Sequence, residues 1–250
     1  MSWPHWECAK LSLLTRGCGR ANAGENALKI LALDTSTEFC SVALWRDGMI
    51  DERETHAGQR HSELLLGMVD ALLAQHELRV SGLDGIAFGQ GPGSFTGLRI
   101  ASGVTQGLAL GAGLPVAGIG TLLAMAEAAN TERVVCCLDA RMGEIYHAAY
   151  ARSGAGWLTV CEPGLWAPAE APALPQGAWF GCGNGFSAHR EVLMRRYDGF
   201  LSATAPELMP HARDMARLAV PLFEQGKGVD AALAAPFYVR DKVALRTDER

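Results

Sequence analysis

The chain has 250 residues, of which 49% are hydrophobic and 20% are charged, and its formal net charge is −5. This composition predicts a soluble globular protein of one large or two small domains. The negative charge argues against a protein that grips nucleic acid by a basic surface of its own, since phosphate contacts need clustered Lys and Arg. The scattered cysteines, without a CxxC spacing, favour the reducing cytoplasm over secretion.

Two stretches are set apart before the elements are assigned. Residues 1–27 show no clear periodicity, and we predict a disordered extension outside the fold. The uncharged stretch 107–126 has about the length of a membrane helix, but Pro115 and the glycines around it interrupt any helix. We therefore predict the end of one helix, a short strand over Val116–Ile119 and the start of another helix.

The first predicted elements form a strand, an aspartate and a hairpin. A buried strand over Lys29–Leu33 ends in Asp34, and Asp47-Gly48 is a hairpin signal between two further strands. The pattern then alternates between helices and strands, which is typical of α/β proteins. The remaining predicted elements are strands over Phe39–Trp45, Met49–Thr55 and Gly85–Gly89 and helices over 60–76 and 95–111.

The opening pattern recurs in the second part of the chain. A buried strand over Arg133–Leu138 again ends in an aspartate, Asp139, and a turn leads to a strand over Glu144–Arg152. A proline-rich loop, a strand over Ala178–Gly181 and helices over 186–197 and 210–225 follow. This repetition predicts two similar halves, residues 28–132 and residues 133–250.

The two aspartate turns and one glycine-rich turn are candidate nucleotide contacts. Backbone amides and small hydroxyl groups can surround a phosphate, and an aspartate can hold Mg²⁺ through water. The alternative is that each aspartate only caps its own turn and that the glycines make a tight turn. The candidate residues are Asp34, Thr35, Ser36, Asp139, Gly143 and Gly183.

The helix predicted over residues 60–76 is a candidate partner surface. Its apolar residues spread over about twice the arc of roughly 100° that a core-facing helix needs. Small residues follow one stripe of this helix, and Gly103, Gly107 and Gly111 follow one stripe of the next, so a neighbour in the same chain or in a partner can approach closely. The alternative is a helix packed on both sides within its own domain. The candidate partner contacts are His61, Leu64, Leu65, Met68, Leu72, Gly93, Phe95 and Arg99.

No catalytic residue and no metal site are predicted. Leu65 occupies the position four residues after His61 at which a second helical ligand would stand, and neither HExxH nor GxSxG occurs. Gly91–Arg99 lacks the lysine of a Walker A loop. We expect the chain to hold no stoichiometric zinc or iron.

Five segments in order resemble the bacterial TsaB family, also called YeaZ. The resemblance runs from about residue 29 to about residue 244. Its most specific parts are GPGSFTGLR and DARMGE. The segments are Ile30–Thr37, His61–Leu65, Gly91–Arg99, Leu138–Glu144 and Pro236–Arg240.

This resemblance implies a duplicated fold of the actin/Hsp70/sugar-kinase type and a paralogue of TsaD. TsaD is the catalytic subunit that places a threonylcarbamoyl group on the adenosine beside the anticodon of tRNAs that read codons beginning with adenine. The resemblance implies a cytoplasmic, non-catalytic partner of TsaD and of the ATPase TsaE. We also expect a homodimer when the chain is alone, tRNA contact only through the complex, and at most weak ATP or ADP binding at the complex interface. Relatives of TsaD carry an HxxxH metal motif on the first helix, and Leu65 replaces its second histidine here.

Two other functions stay open at this point. One is an enzyme on the same fold, either an ATP-using phosphotransferase or a glycoprotease-like hydrolase. The other is a homodimer with only a structural role. The wide apolar arc of the helix over 60–76 fits a homodimer and a heterodimer equally well.

Overall fold

The computed structural model describes residues 28–239, which form two five-stranded sheets with helices against them. The disordered extension that we predict over residues 1–27 lies outside these residues. In the first sheet the strand order is β3-β2-β1-β4-β5; β1, β2 and β3 are antiparallel neighbours, and β4 and β5 run parallel to β1. The strands are β1 (Lys29–Asp34), β2 (Phe39–Arg46), β3 (Met49–His56), β4 (Gly85–Gly91) and β5 (Val116–Gly120).

The second sheet repeats this topology. Its order is β8-β7-β6-β9-β10, with three antiparallel strands followed by two parallel ones. The predicted duplicated α/β fold of the actin/Hsp70/sugar-kinase type, with two similar halves, is therefore confirmed. The strands are β6 (Arg133–Asp139), β7 (Ile145–Ser153), β8 (Gly156–Trp166), β9 (Trp179–Cys182) and β10 (Leu201–Ala205).

Two of these strands were not predicted from the sequence. Pro163 favoured a loop, but β8 lies at the edge of its sheet, where a proline does not interrupt a ladder on both sides. The other missed strand, β10, is also an edge strand, and its five residues carry almost no apolar alternation. A search for alternating apolar residues therefore misses short polar edge strands.

The helices follow the prediction closely except in one region. The helix that we expected over 186–197 is two helices separated at His189, which belongs to neither. The helices are α1 (His61–Gln75), α2 (Phe95–Ala112), α3 (Thr121–Ala129), α4 (Gly185–Ala188), α5 (Arg190–Arg196) and α6 (Ala212–Glu224), and short 3₁₀ turns lie at Val80–Gly82, Pro168–Glu170 and Ala231–Leu233.

The first sheet is covered on both faces, which explains the continuous apolar run of β1. Leu31 and Leu33 join the core that contains buried residues of α1 and α2, whereas Ile30 and Ala32 join the core that contains α6. Successive side chains of a strand point to opposite faces, so a strand buried on both faces must be apolar at every position.

The packing of α6 does not follow the division of the chain into two halves at residue 132. This helix follows the second sheet in sequence, but it packs against β1 and β2 of the first. The Ala212 backbone N–H donates to the Ser41 hydroxyl at 2.9 Å, which fixes the start of α6 on β2. The first half is thus completed by residues that the sequence division assigns to the second.

The uncharged stretch over 107–126 contains the end of α2, strand β5 and the start of α3, as predicted. Gly113 closes α2 in the left-handed conformation, with φ of 67°. Within residues 28–239, no helix has the length and apolarity that crossing a membrane requires.

Candidate functional site

A cleft of about 890 Å³ opens between the two halves, and both aspartate turns reach it. Ser36 and Thr37 line it from the first turn, and residues 139–142 line it from the second. The glycine-rich loop over 91–97 and residues 237–239 also contribute to its walls. The chain therefore brings together most of the segments that the sequence indicated, at one place between the halves.

The first aspartate turn is occupied by contacts within the chain. Asp34, Thr35 and Ser36 are all buried. The Ser36 hydroxyl donates to Asp34 Oδ2 at 2.9 Å, and the Thr35 hydroxyl donates to the Gly97 carbonyl at 2.7 Å. Burial raises the pKa of Asp34 to about 7, against the opposing effect of the hydrogen bonds from Ser36 and Thr35. Asp34 and Thr35 do not line the cleft, and their polar groups bind their own chain, so their nucleotide contact stays a prediction.

The glycine-rich loop closes over this turn, and its glycines make that approach possible. A Cβ atom at Gly93 would lie 2.5 Å from the Ser36 carbonyl oxygen, and one at Gly97 would overlap the Thr35 carbonyl oxygen. The Ser94 backbone N–H donates to the Ser36 carbonyl at 2.7 Å. Gly93 and Gly97 are thus explained by the close packing of this loop against the backbone of the turn.

The second aspartate turn is more open. Asp139 keeps 15% of its side chain exposed and lines the cleft. Its Oδ1 accepts from the Arg141 backbone N–H at 3.1 Å, and its backbone N–H donates to the Asn184 side-chain oxygen at 2.8 Å. Arg141 and His189 lie 3.4 and 3.5 Å from its two carboxylate oxygens. This carboxylate is the one of the two aspartates that a molecule in the cleft could reach.

The two predicted glycine contacts, Gly143 and Gly183, do not line the cleft. Gly143 has φ of 76° and completes a left-handed run with Arg141 and Met142. A Cβ atom at Gly183 would overlap the Cys137 carbonyl oxygen, so this glycine lets β9 and α4 approach β6. For both residues the tight-turn alternative explains the geometry.

One wall of the cleft carries a stacked cation. The Arg99 guanidinium carbon lies 3.7 Å from the centre of the Phe95 ring, and its Nε donates to the Tyr238 hydroxyl at 2.8 Å. The Phe237 backbone N–H donates to the Gln90 carbonyl at 2.7 Å, which holds this segment against β4. Phe95 and Arg99 were predicted as partner contacts; Phe95 lines the cleft, and Arg99 packs on it.

Part of the predicted partner surface of helix α1 faces the core of its own chain. Leu65 and Leu72 are 0% exposed and lie in the core below the helix, so they cannot contact a partner. His61 is also buried, with Nε2 at 3.2 Å from the Phe39 carbonyl oxygen. The wide apolar arc arises because Leu64 and Met68 flank this buried line and remain partly exposed. Leu65 and Leu72 therefore do not belong to the exposed surface of α1.

The outward side of α1 and α2 is smooth. Among the described residues, no heavy atom lies within 4 Å of a Cβ atom built at Gly67, Gly103, Gly107 or Gly111. Leu66 is 48% exposed and Leu110 is 58% exposed on the same helices. We call this surface the outer helix face, and it consists of Leu66, Gly67, Ala71, Gly103, Gly107, Leu110 and Gly111.

The sequence analysis did not identify one residue and one group of residues as parts of a site. Tyr238 belongs to the segment Pro236–Arg240, and only the resemblance drew attention to it. Glu52, Glu54 and His211 converge on the far face of the first sheet. No sequence spacing could indicate that group, since tertiary packing alone joins the start of α6 to β3.

Comparisons with known proteins agree with this architecture. The family model described as TsaD, tRNA N6-adenosine threonylcarbamoyltransferase, matches residues 54–195. The chain is 37% identical over 235 residues to the tRNA threonylcarbamoyladenosine biosynthesis protein TsaB of Escherichia coli strain K12, and the match covers 88% of this chain and 97% of that protein. TsaB of Haemophilus influenzae is 37% identical over 232 residues, which cover 88% of this chain and 96% of that one.

A solved structure shows the same fold. YeaZ from Pseudomonas aeruginosa superimposes with a TM-score of 0.78 at 38% identity, and the match covers 84% of this chain and 99% of that one. The identity and the coverage of these matches lead to one conclusion. The chain belongs to the TsaB (YeaZ) family.

Proposed function

We propose that the chain is a non-catalytic partner subunit in the biosynthesis of threonylcarbamoyladenosine in tRNA. The names of the relatives in Escherichia coli and Haemophilus influenzae support this pathway. In this proposal the chain binds and activates the TsaD catalytic subunit, together with the ATPase TsaE, and contacts tRNA only through that complex. The net charge of −5 supports the last point, because the chain has no excess of cations for phosphate binding.

The observation that carries the proposal is the outer helix face. Four glycines on two adjacent helices leave it open, at a cost of about 1 kcal/mol each in helix propensity relative to alanine. Small residues let the backbones of two helices approach closely, and exposed leucines beside them supply apolar area for burial. A surface of this kind suits a second pair of helices.

TsaD is the occupant that we propose for this face. The TsaD family model matches a range that includes both α1 and α2, so TsaD has an equivalent pair of helices. Two homologous helix pairs can pack across an approximate twofold axis, as identical pairs do in a symmetric dimer. For the same reason, we propose that the chain forms a homodimer through this face when TsaD is absent.

The test replaces small residues of the outer helix face with large or charged ones. We expect Gly107→Leu and Leu110→Glu to weaken binding to purified TsaD at least tenfold, measured by calorimetry, because they block close approach or bury a charge. The control is Leu158→Glu, an equally exposed leucine on β8 of the other sheet. Unchanged affinity in both helix variants, with folding intact, would contradict the proposed surface.

A reconstituted modification assay separates the partner function from the enzymatic alternative. An activated threonylcarbamoyl donor made from labelled threonine is combined with ATP, tRNA, TsaD, TsaE and each variant. We expect Gly107→Leu to abolish stimulation and Asp139→Ala to retain it. An Asp139→Ala chain that binds TsaD normally but fails to stimulate modification would instead support a nucleotide-dependent role of the cleft.

A further inference from the structure

A group of metal-ligating side chains lies on the face of the first sheet opposite to α1. Glu52 and Glu54 point from β3 toward the start of α6, since their partners on β2 are Ala43 and Ser41, which face that helix. One ligand atom of each of Glu52, Glu54 and His211 lies within 4.8 Å of the others. Tertiary packing therefore brings two carboxylates and one imidazole together.

Several polar atoms at this place are buried without a hydrogen-bond partner. They are Glu52 Oε1, His211 Nδ1 and Asp214 Oδ2. Asp214 is 0% exposed and follows His211 on the first turn of α6. Buried polar atoms without partners are uncommon in folded proteins, and each costs about 1–3 kcal/mol. Arg213 Nε lies 3.4 Å from Asp214 Oδ2, so Glu52 Oε1 and His211 Nδ1 are the two atoms without a hydrogen bond that belong to the converging group.

The surrounding groups carry charges of both signs. Arg213 Nη1 lies 3.1 Å from Glu52 Oε2, and Arg217 Nη1 lies 2.6 Å from Asp214 Oδ1. Two guanidinium groups therefore face three carboxylates, and the carboxylate of Glu54 is left with His211 alone.

The closest pair in the group has no hydrogen bond. His211 Nδ1 and Glu54 Oε2 lie 2.5 Å apart, yet their geometry does not satisfy a hydrogen bond. A proton on Nδ1 makes this contact an ion pair, and a metal ion could take the place of that proton. Zinc–nitrogen and zinc–oxygen bonds of about 2.0–2.2 Å at a tetrahedral angle would separate these atoms by about 1 Å more than they are now.

We propose that Glu52, Glu54 and His211 bind a divalent transition-metal ion of the zinc class. One imidazole nitrogen and two carboxylate oxygens are a donor set that zinc accepts, and Glu52 contributes Oε1, because Oε2 binds Arg213. The side chain of Glu54 is 32% exposed, which leaves that side open to water as a further ligand. The ion joins the edge strand β3 to the start of α6 and thereby stabilises the fold.

The experiment uses the full chain after removal of metals by a chelator. Cobalt(II), a spectroscopic substitute for zinc, is titrated into the chain and followed by its d–d absorption, and zinc is then added in competition. Residues 1–27 contain His5, Cys8 and Cys18, which could also bind metal. A thiolate ligand adds a sulfur-to-cobalt charge-transfer band. The site proposed here is therefore reported by saturable d–d absorption that appears without this band.

The variants Glu54→Gln and His211→Gln are compared with the control His76→Gln. His76 lies 2.9 Å from Asp51 on the same strand, but it faces one carboxylate only. We expect affinity to fall at least tenfold in the first two variants and to stay unchanged in the control. Zinc should raise the thermal midpoint of the wild type and the control and leave the two site variants unmoved.

Two results would overturn the proposal. One is a wild-type chain that shows no saturable d–d absorption of cobalt bound by nitrogen and oxygen ligands. The other is a signal that persists in both Glu54→Gln and His211→Gln. Circular dichroism of the metal-free variants verifies folding, and the partly exposed Glu54 keeps the test valid if His211→Gln does not fold.

Discussion

At the scale of single residues, burial decides which predicted contacts exist. Leu65 and Leu66 are neighbours on α1, yet the first is 0% exposed and the second is 48% exposed. Both are leucines in an apolar stretch, so the sequence does not distinguish them. Leu65 packs into the core beneath α1, whereas Leu66 lies on the outer helix face.

This difference predicts unequal stability effects for the same substitution at the two positions. Leu65→Ala should lower the free energy of unfolding by about 2–5 kcal/mol, because it leaves a cavity in a packed core. Leu66→Ala should change it by less than about 0.5 kcal/mol. Urea denaturation of both variants checks the prediction, and equal losses would show that α1 is rotated from the position described.

His147 makes stability depend on pH. It is buried beside Tyr197, whose hydroxyl lies 2.9 Å from Nε2, and burial lowers its pKa from 6.5 to about 4. Between these values the unfolded chain binds more protons than the folded one, so this contribution to stability is lost as the pH falls. Asp34 acts in the opposite direction, since burial raises its pKa to about 7 and protonation favours its folded form.

The contribution of His147 is therefore measured as a difference between two chains. From pH 7 to pH 5, the wild type should lose about 2 kcal/mol more unfolding free energy than His147→Gln, which has no titrating imidazole. Urea denaturation at both pH values measures the loss. Parallel changes in the two chains would mean that His147 can be protonated without unfolding.

At the scale of elements, two different physical reasons explain the glycines of α2. Gly97 lies at the start of the helix, where its missing side chain leaves room for the Thr35 carbonyl. Gly103 lies in the middle, and no described atom comes within 4 Å of its position for a Cβ. The first is required by packing within the chain, and the second leaves space for a neighbour.

Alanine substitutions should separate these two roles. Gly97→Ala should destabilise the chain by about 1–3 kcal/mol or more, because the new methyl group overlaps backbone that cannot move alone. Gly103→Ala should stabilise it by about 0.5–1 kcal/mol, through the better helix propensity of alanine. Thermal unfolding of both variants is the measurement, and a destabilised Gly103→Ala chain would mean that this position is covered.

At the scale of the whole molecule, the sequence boundary and the structural boundary differ. The face of the first sheet that contains Ile30 and Ala32 is covered by α6, which lies beyond the second sheet in sequence. A fragment of residues 28–132 would expose this apolar face to water. The two halves therefore depend on a helix that crosses from one to the other.

This dependence predicts how fragments behave. Residues 28–132 alone should fail to unfold cooperatively and should bind a hydrophobic dye, because the uncovered face has lost its burial. Joining residues 206–239 to the fragment through a flexible Gly/Ser linker should restore a cooperative transition, since α3 and α6 are in contact. A fragment 28–132 that unfolds cooperatively by itself would contradict this assignment.

The sequence by itself determined the duplicated α/β fold, most elements and the family. The buried strands, the aspartates that end them and the glycine-rich segment are local patterns, and local patterns follow from the period of the backbone and from turn chemistry. Short polar edge strands such as β10 lack such a period, and only neighbouring strands define them.

Only the tertiary structure decided which side of α1 is covered, where α6 packs and what the aspartate turns contact. Asp34 binds Ser36 under the closed glycine loop, while Asp139 stays open to the cleft, although both follow the same strand-Asp-turn pattern. Glu52, Glu54 and His211 meet only because α6 returns to the first sheet. Such contacts between residues far apart in sequence depend on how whole elements pack, and packing leaves no local periodic signal.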